Sequence, residues 1–112
     1  MGPDSVYKPD NPEYLARKKA ILAESQKRLQ KLPSYIEKKK WSDVRGELDR
    51  YMYETRGAIR GLASTPKQQE AATAFFKAIE TCDISAALKK QEACAAAAAD
   101  SAAKLDAFVA TL

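Results

Sequence analysis

LPSYIEKKKWSDVRGELDRYMYETRGAIRGL, residues 32–62, contains the end of one amphipathic helix, a sharp corner and most of a second helix. Before the corner, Leu29, Leu32 and Ile36 recur at helical spacing. After it, Val44, Leu48, Tyr51, Thr55, Ile59 and Leu62 step by threes and fours, which keeps one face apolar. Two such stripes joined so tightly predict antiparallel neighbours that share a core. Trp41 lies between them, and its indole reads as a plug closing that end of the core. Ser42 is the expected N-cap of the second helix, since its hydroxyl can accept from a free backbone N–H. Asp43 adds negative charge at the positive end of that helix's dipole.

The pattern extends in both directions. Toward the N-terminus, Leu15, Leu22, Leu29 and Ile36 recur every seven residues with Ile21 and Leu32 beside them, one seam that persists on both sides of Pro33. A full break would put that seam out of phase, so Pro33 is expected to kink a helix over residues 13–40 rather than end it. Asp10 and Asn11 are capping candidates, with Pro12 in the first turn. Lys38, Lys39 and Lys40 close this helix favourably against its negative end. Residues 1–12 carry three prolines and read as an extended arm.

The second helix is expected over residues 43–63, with Arg45, Asp49, Tyr53, Arg56 and Arg60 in one outer row. Thr65, Pro66, Lys67 and Gln68 spell a capping box with proline at the first helical position. A third helix over 66–89 would bury Ala72, Phe75, Phe76, Ile79, Cys82 and Ala86. A turn near Lys89 to Gln91 leads to a fourth over 91–111 that turns Cys94 or Ala95, Ala98, Ala102, Leu105, Val109 and Leu112 inward. The expected fold class is all-α: a four-helix up-down-up-down bundle with an extended N-terminal arm.

Composition bounds the chemistry. At 112 residues the chain makes one domain, and four glycines with five prolines suit helices. No histidine is present, which removes Glu-x-x-His di-iron sites, most zinc sites and the commonest general base. No catalytic residue, metal site or cofactor is expected. Nineteen basic and fifteen acidic side chains give a net charge of +4, too mild for a nucleic-acid arm, and Asp49 and Glu54 interrupt the basic residues around Tyr51 and Tyr53. No run approaches the ~20 apolar residues of a membrane span. The first twelve residues lack the apolar core of a signal peptide.

Several of these positions resemble the PsbQ family, the small extrinsic subunits on the lumenal side of photosystem II. Leu32-Pro33 with Ile36, then Trp41, Val44-Arg45, Leu48, Arg56, Leu62, Pro66, Ile79 and Asp83 carry the resemblance, with Leu105-Asp106 and Phe108 in the tail. It covers residues 29–112 and is spread through the bundle rather than concentrated in one motif. The resemblance implies a non-catalytic subunit of the chloroplast thylakoid lumen, peripheral to the membrane through contacts with intrinsic and other extrinsic photosystem II subunits. Such subunits stabilise the oxygen-evolving complex and help retain calcium and chloride at its manganese cluster, binding no cofactor directly. The short arm and the two cysteines depart from plant members and look more like algal, red-lineage forms. The isolated chain is expected to be a monomer. The alternative is a general helical adaptor that binds a partner's amphipathic helix.

Cys82 and Cys94 lie about equally far from the expected turn, on inward stripes of antiparallel helices, where a disulfide could form; two buried free thiols are the other outcome. In an up-down-up-down bundle the first and third connections share one end. That topology would gather Lys38, Lys39, Lys40 and Arg45 with Lys89 and Lys90, partly offset by Glu37, Asp43, Glu47 and Glu92. This basic end is the expected docking surface, with Tyr7 and Pro9 of the arm as a second contact and the Arg56 and Arg60 row as the next candidate.

Overall fold

The computed structural model describes residues 11–112, all of whose regular structure is helical: α1 (Pro12–Leu29), α2 (Leu32–Glu37), α3 (Trp41–Leu62), α4 (Pro66–Ala87) and α5 (Gln91–Val109). α1 is capped by Asn11, whose Oδ1 accepts from the backbone N–H groups of Glu13 and Tyr14 at 2.9 and 3.3 Å. Pro12 takes the first helical position, where its missing N–H has no bond to lose.

The expected single helix over 13–40 is two helices. Pro33 cannot donate to the Leu29 carbonyl and its ring crowds that oxygen, and α1 stops at Leu29. Pro33 itself sits at the second position of α2. Gln30 and Lys31 nevertheless keep right-handed helical dihedrals, φ −71°, ψ −12° and φ −81°, ψ −23°. The break therefore leaves the seam in phase, and Leu22, Leu29, Leu32 and Ile36 are all buried.

α2 also ends at Glu37, earlier than expected. Lys39 adopts a left-handed conformation, φ 55°, and the Lys39 and Lys40 N–H groups fold back onto the carbonyls of Ile36 (3.0 Å) and Tyr35 (2.8 Å). This pair of bonds is a Schellman motif, which satisfies carbonyls that the helix end would otherwise leave bare. It turns the chain so soon that α3 starts at Trp41, with the Val44 N–H already on the Lys40 carbonyl at 3.0 Å. Ser42 is thus inside the first turn and is not the N-cap; Lys40 holds that position with no side-chain bond.

On α3 the buried positions among the described side chains are Val44, Leu48, Met52, Thr55, Ala58, Ile59 and Leu62. Met52 is buried as well, although it is not among the positions expected on this stripe; the side chain of Tyr51, which is, lies outside the described residues. Trp41 is half-buried against the core, so it covers the end from outside while Ile36 and Val44 fill it. α4 opens on the capping box: Thr65 Oγ1 accepts from the Gln68 N–H, and Gln68 Oε1 accepts from the Thr65 N–H, both at 3.1 Å. Phe75 is fully buried and Phe76 only partly, because a helix turns the next side chain out of the same stripe. On α5 the inward end is Leu105 and Phe108; Val109 is half-buried and Leu112, past the helix end, is exposed.

Side-chain contacts fix the pairing. Tyr14 lies against Gly61, where a Cβ would strike its hydroxyl, Ser25 bonds Thr55, and Arg28 reaches Glu47 at 3.2 Å, so α1 runs antiparallel to α3. Gln68 Nε2 donates to the Thr111 carbonyl at 3.2 Å, and Cys82 meets Cys94, so α4 runs antiparallel to α5. Gln26 on α1 donates to Asp106 at 2.8 Å and Gln91 donates to the end of α2, which sets α5 antiparallel to the α1–α2 stretch. The α4–α5 contact is the most extensive among the described helices. No described helix is long and apolar enough to cross a membrane.

Candidate docking end

The α4–α5 corner repeats the α2–α3 corner. Leu88 caps α4, Lys89 is left-handed with φ 56°, and the Lys89 and Lys90 N–H groups donate to Ala86 (3.1 Å) and Ser85 (2.9 Å). Gln91 binds the two corners together, since its Nε2 donates to the carbonyls of both Ile36 and Glu37, at 3.0 and 3.2 Å. Both connections therefore lie at one end of the molecule.

The six cations expected at that end, Lys38, Lys39, Lys40, Arg45, Lys89 and Lys90, are all exposed, and none forms an ion pair among the described residues. Of the four acidic residues expected to offset them, Glu47 is held by Arg28 instead, which leaves Glu37, Asp43 and Glu92. A shallow groove of about 920 Å³ runs between the corners, lined by Lys39, Lys40, Arg45 and Lys89, by Asp43 and Asp49, and by Trp41 and Ala86. Ile84 and Leu88, one turn apart near the end of α4, are 53% and 59% exposed and add an apolar edge beside the charges.

Lysine is an expensive choice for both left-handed positions. The Cβ of an L-residue crowds the following carbonyl there, at ~1–2 kcal/mol, and glycine is the usual occupant. Both corners that meet at this end carry a lysine in this conformation. The spacing that could have revealed the duplication in the sequence is fifty: Lys39 and Lys89, Lys40 and Lys90.

Arg56 and Arg60 are exposed on α3 as expected, away from this end; Arg60 lies 5.6 Å over the Phe76 ring. Tyr7, Pro9 and the rest of the expected arm before Asn11 lie outside the described residues. The Cys82–Cys94 bridge is not formed. Both are free thiols, and each donates to the other's backbone carbonyl, Cys82 at 3.9 Å and Cys94 at 3.7 Å. Burial, reinforced by the neighbouring Cys94, pushes the Cys82 thiol up to about 12; burial also raises Cys94. Two thiols kept protonated in this way are poor nucleophiles. No group of three or more His, Cys, Asp or Glu among the described residues could hold a metal ion.

No protein-family model matches this chain, and no curated protein matches it either.

Proposed function

We propose that this chain is a non-catalytic assembly subunit of the PsbQ type: an up-down-up-down four-helix bundle with an extended N-terminal arm, docking through its basic end. The antiparallel pairs α1–α3, α4–α5 and α1–α5, with both tight corners at one end, support that topology, α1 and α2 together serving as one arm of the bundle.

One observation carries the functional proposal: six exposed cations, unpaired among the described residues, gathered at one end, two of them lysines held left-handed where glycine would cost less. Charges of this kind steer association and set its salt dependence more than they hold a fold together. The partner they suit is an acidic protein surface, with Ile84 and Leu88 supplying apolar contact at its edge. The resemblance at Trp41, Val44-Arg45, Leu48, Arg56 and Asp83 supports the lumenal side of photosystem II, among its intrinsic and extrinsic subunits, as that surface. There the subunit would stabilise the oxygen-evolving complex and help it retain calcium and chloride, without binding a cofactor or nucleic acid itself. The expected home is the thylakoid lumen, peripheral to the membrane.

The test is reconstitution. Purified protein added to salt-washed photosystem II membranes should rebind and restore oxygen evolution at low calcium and chloride. Absence of both rebinding and restoration would overturn the assignment to this complex.

A further inference from the structure

Beside the basic end, the cleft between α3 and α4 has the opposite character. A pocket of about 170 Å³ opens there over an apolar floor of Leu48, Met52 and Ile79, with Asp49 and Asp83 in its walls. Asp83 Oδ1 is buried and has no hydrogen-bond partner. A buried carboxylate oxygen with no partner in the protein is destabilising unless a water or a ligand meets it. Arg56 also lines the pocket, yet neither aspartate forms an ion pair with it. Nor does the fold require an acid there, since the residue fifty positions earlier, at the matching place in the other corner's first helix, is Pro33.

Tyr53 stands at the rim with 82% of its surface exposed, the most exposed of the large apolar side chains described. An aromatic face at the mouth, two carboxylates in the walls and an apolar floor together make a receptor for a planar cation. A guanidinium suits such a place better than an ammonium: it forks onto carboxylates, stacks on aromatic faces and gives up its water more readily. Two carboxylates are also too few for a metal site among the described residues.

We propose that this cleft receives the guanidinium of an arginine side chain presented by a partner protein, with Asp83 and Asp49 as its acceptors and Tyr53 closing over it. The site adjoins the docking end, which is built for acidic groups, and Asp49 lines both. A partner meeting both would present an arginine next to an acidic patch.

Amide chemical shifts of the full chain, followed during titration with arginine blocked at both ends, test the site directly. The arginine should produce saturable shifts at Asp49, Tyr53, Ile79 and Asp83. Blocked citrulline, of the same shape but uncharged, and blocked lysine should each bind roughly tenfold more weakly or worse, as expected for loss of a charge-assisted forked contact. Asp83→Asn should weaken the arginine by a similar factor, and Asp49→Asn serves the same purpose if the first variant does not fold. The proposal is overturned if the shifts do not saturate, if they scatter over acidic residues elsewhere, if citrulline or lysine binds equally well, or if the folded variant binds arginine like the parent.

Discussion

The two hairpins of this molecule, α1–α2–α3 and α4–α5, bury the same places with different side chains. Leu22 and Ala72, Ser25 and Phe75, Leu29 and Ile79, Leu32 and Cys82, Ile36 and Ala86 are buried pairs fifty positions apart; so are Val44 and Cys94, Leu48 and Ala98, Thr55 and Leu105, Ala58 and Phe108. With both corners at one end, members of a pair lie at the same distance from it. Near the corners the first hairpin supplies Leu32, Ile36, Val44 and Leu48, and the second answers with Cys82, Ala86, Cys94 and Ala98. Toward the far end three pairs reverse, Ser25, Thr55 and Ala58 against Phe75, Leu105 and Phe108, while Leu22 stays larger than Ala72. Large matched with small at most of these levels helps a core fill at native density without voids. The difference between the hairpins is thus a complement, and each is incomplete without the other.

Emptying a large position where the other hairpin offers only small ones should break that complement most. Phe108→Ala is expected to destabilise by ~3–5 kcal/mol, the range for removing a fully buried aromatic. Trp41→Ala, by contrast, removes a half-buried side chain at the rim and should cost ~1–2 kcal/mol, since burial scales with the area hidden from water. Denaturant unfolding of the two variants decides the matter; equal losses would mean that the far end is not packed as described.

The cysteines sharpen the comparison at the corner end, where they occupy the places of Leu32 and Val44. As thiols buried like apolar side chains, they should resist a thiol reagent at neutral pH and yield two equivalents per chain in denaturant without reductant. None would mean that they are bridged. Their titration also has a sign. With the Cys82 thiol raised from an ordinary value of 9.0 to about 12, the folded state holds a proton that the unfolded chain releases. Stability from this group is then full below pH 9 and is lost as the pH climbs from 9 towards 12. Replacing both cysteines by alanine should flatten that loss in a denaturation series across this range.

Much of this was legible in the sequence because it rests on local chemistry. Asn11 with Pro12, the Thr65–Gln68 box and the apolar stripe from Leu22 to Ile36 each announce themselves within a few residues. What hid was set by tertiary geometry. Neither Schellman corner contains the glycine that marks most of them, so Ser42 passed for a cap and the helix before it for a longer one. Pro33 hid its break because Gln30 and Lys31 stay helical without completing the bond ladder. The basic end could be anticipated from topology and lysine runs. The clasp from Gln91 and the unpaired oxygen of Asp83 depend on contacts across the core that no spacing rule supplies.

The smallest expected effect on stability is also the most telling for function. Lys39→Gly with Lys89→Gly relieves two left-handed side chains and should raise stability by up to ~1 kcal/mol per site, after allowance for glycine's greater freedom in the unfolded chain. If the lysines are kept for docking, the same double variant should bind its partner less well at low salt. A less stable variant would show instead that the lysine side chains hold the corners.

The most direct measurement of the central claim is rebinding of the triple variant Lys38→Glu, Lys39→Glu, Lys40→Glu to salt-washed photosystem II membranes across a salt series, with its helical spectrum as a control. A basic docking end predicts strong weakening at low salt that shrinks toward the parent at high salt, where screening has already removed the parent's advantage. Rebinding equal to the parent at low salt, by a protein with an unchanged helical spectrum, would contradict it and move the docking face to the Arg56 and Arg60 row of α3.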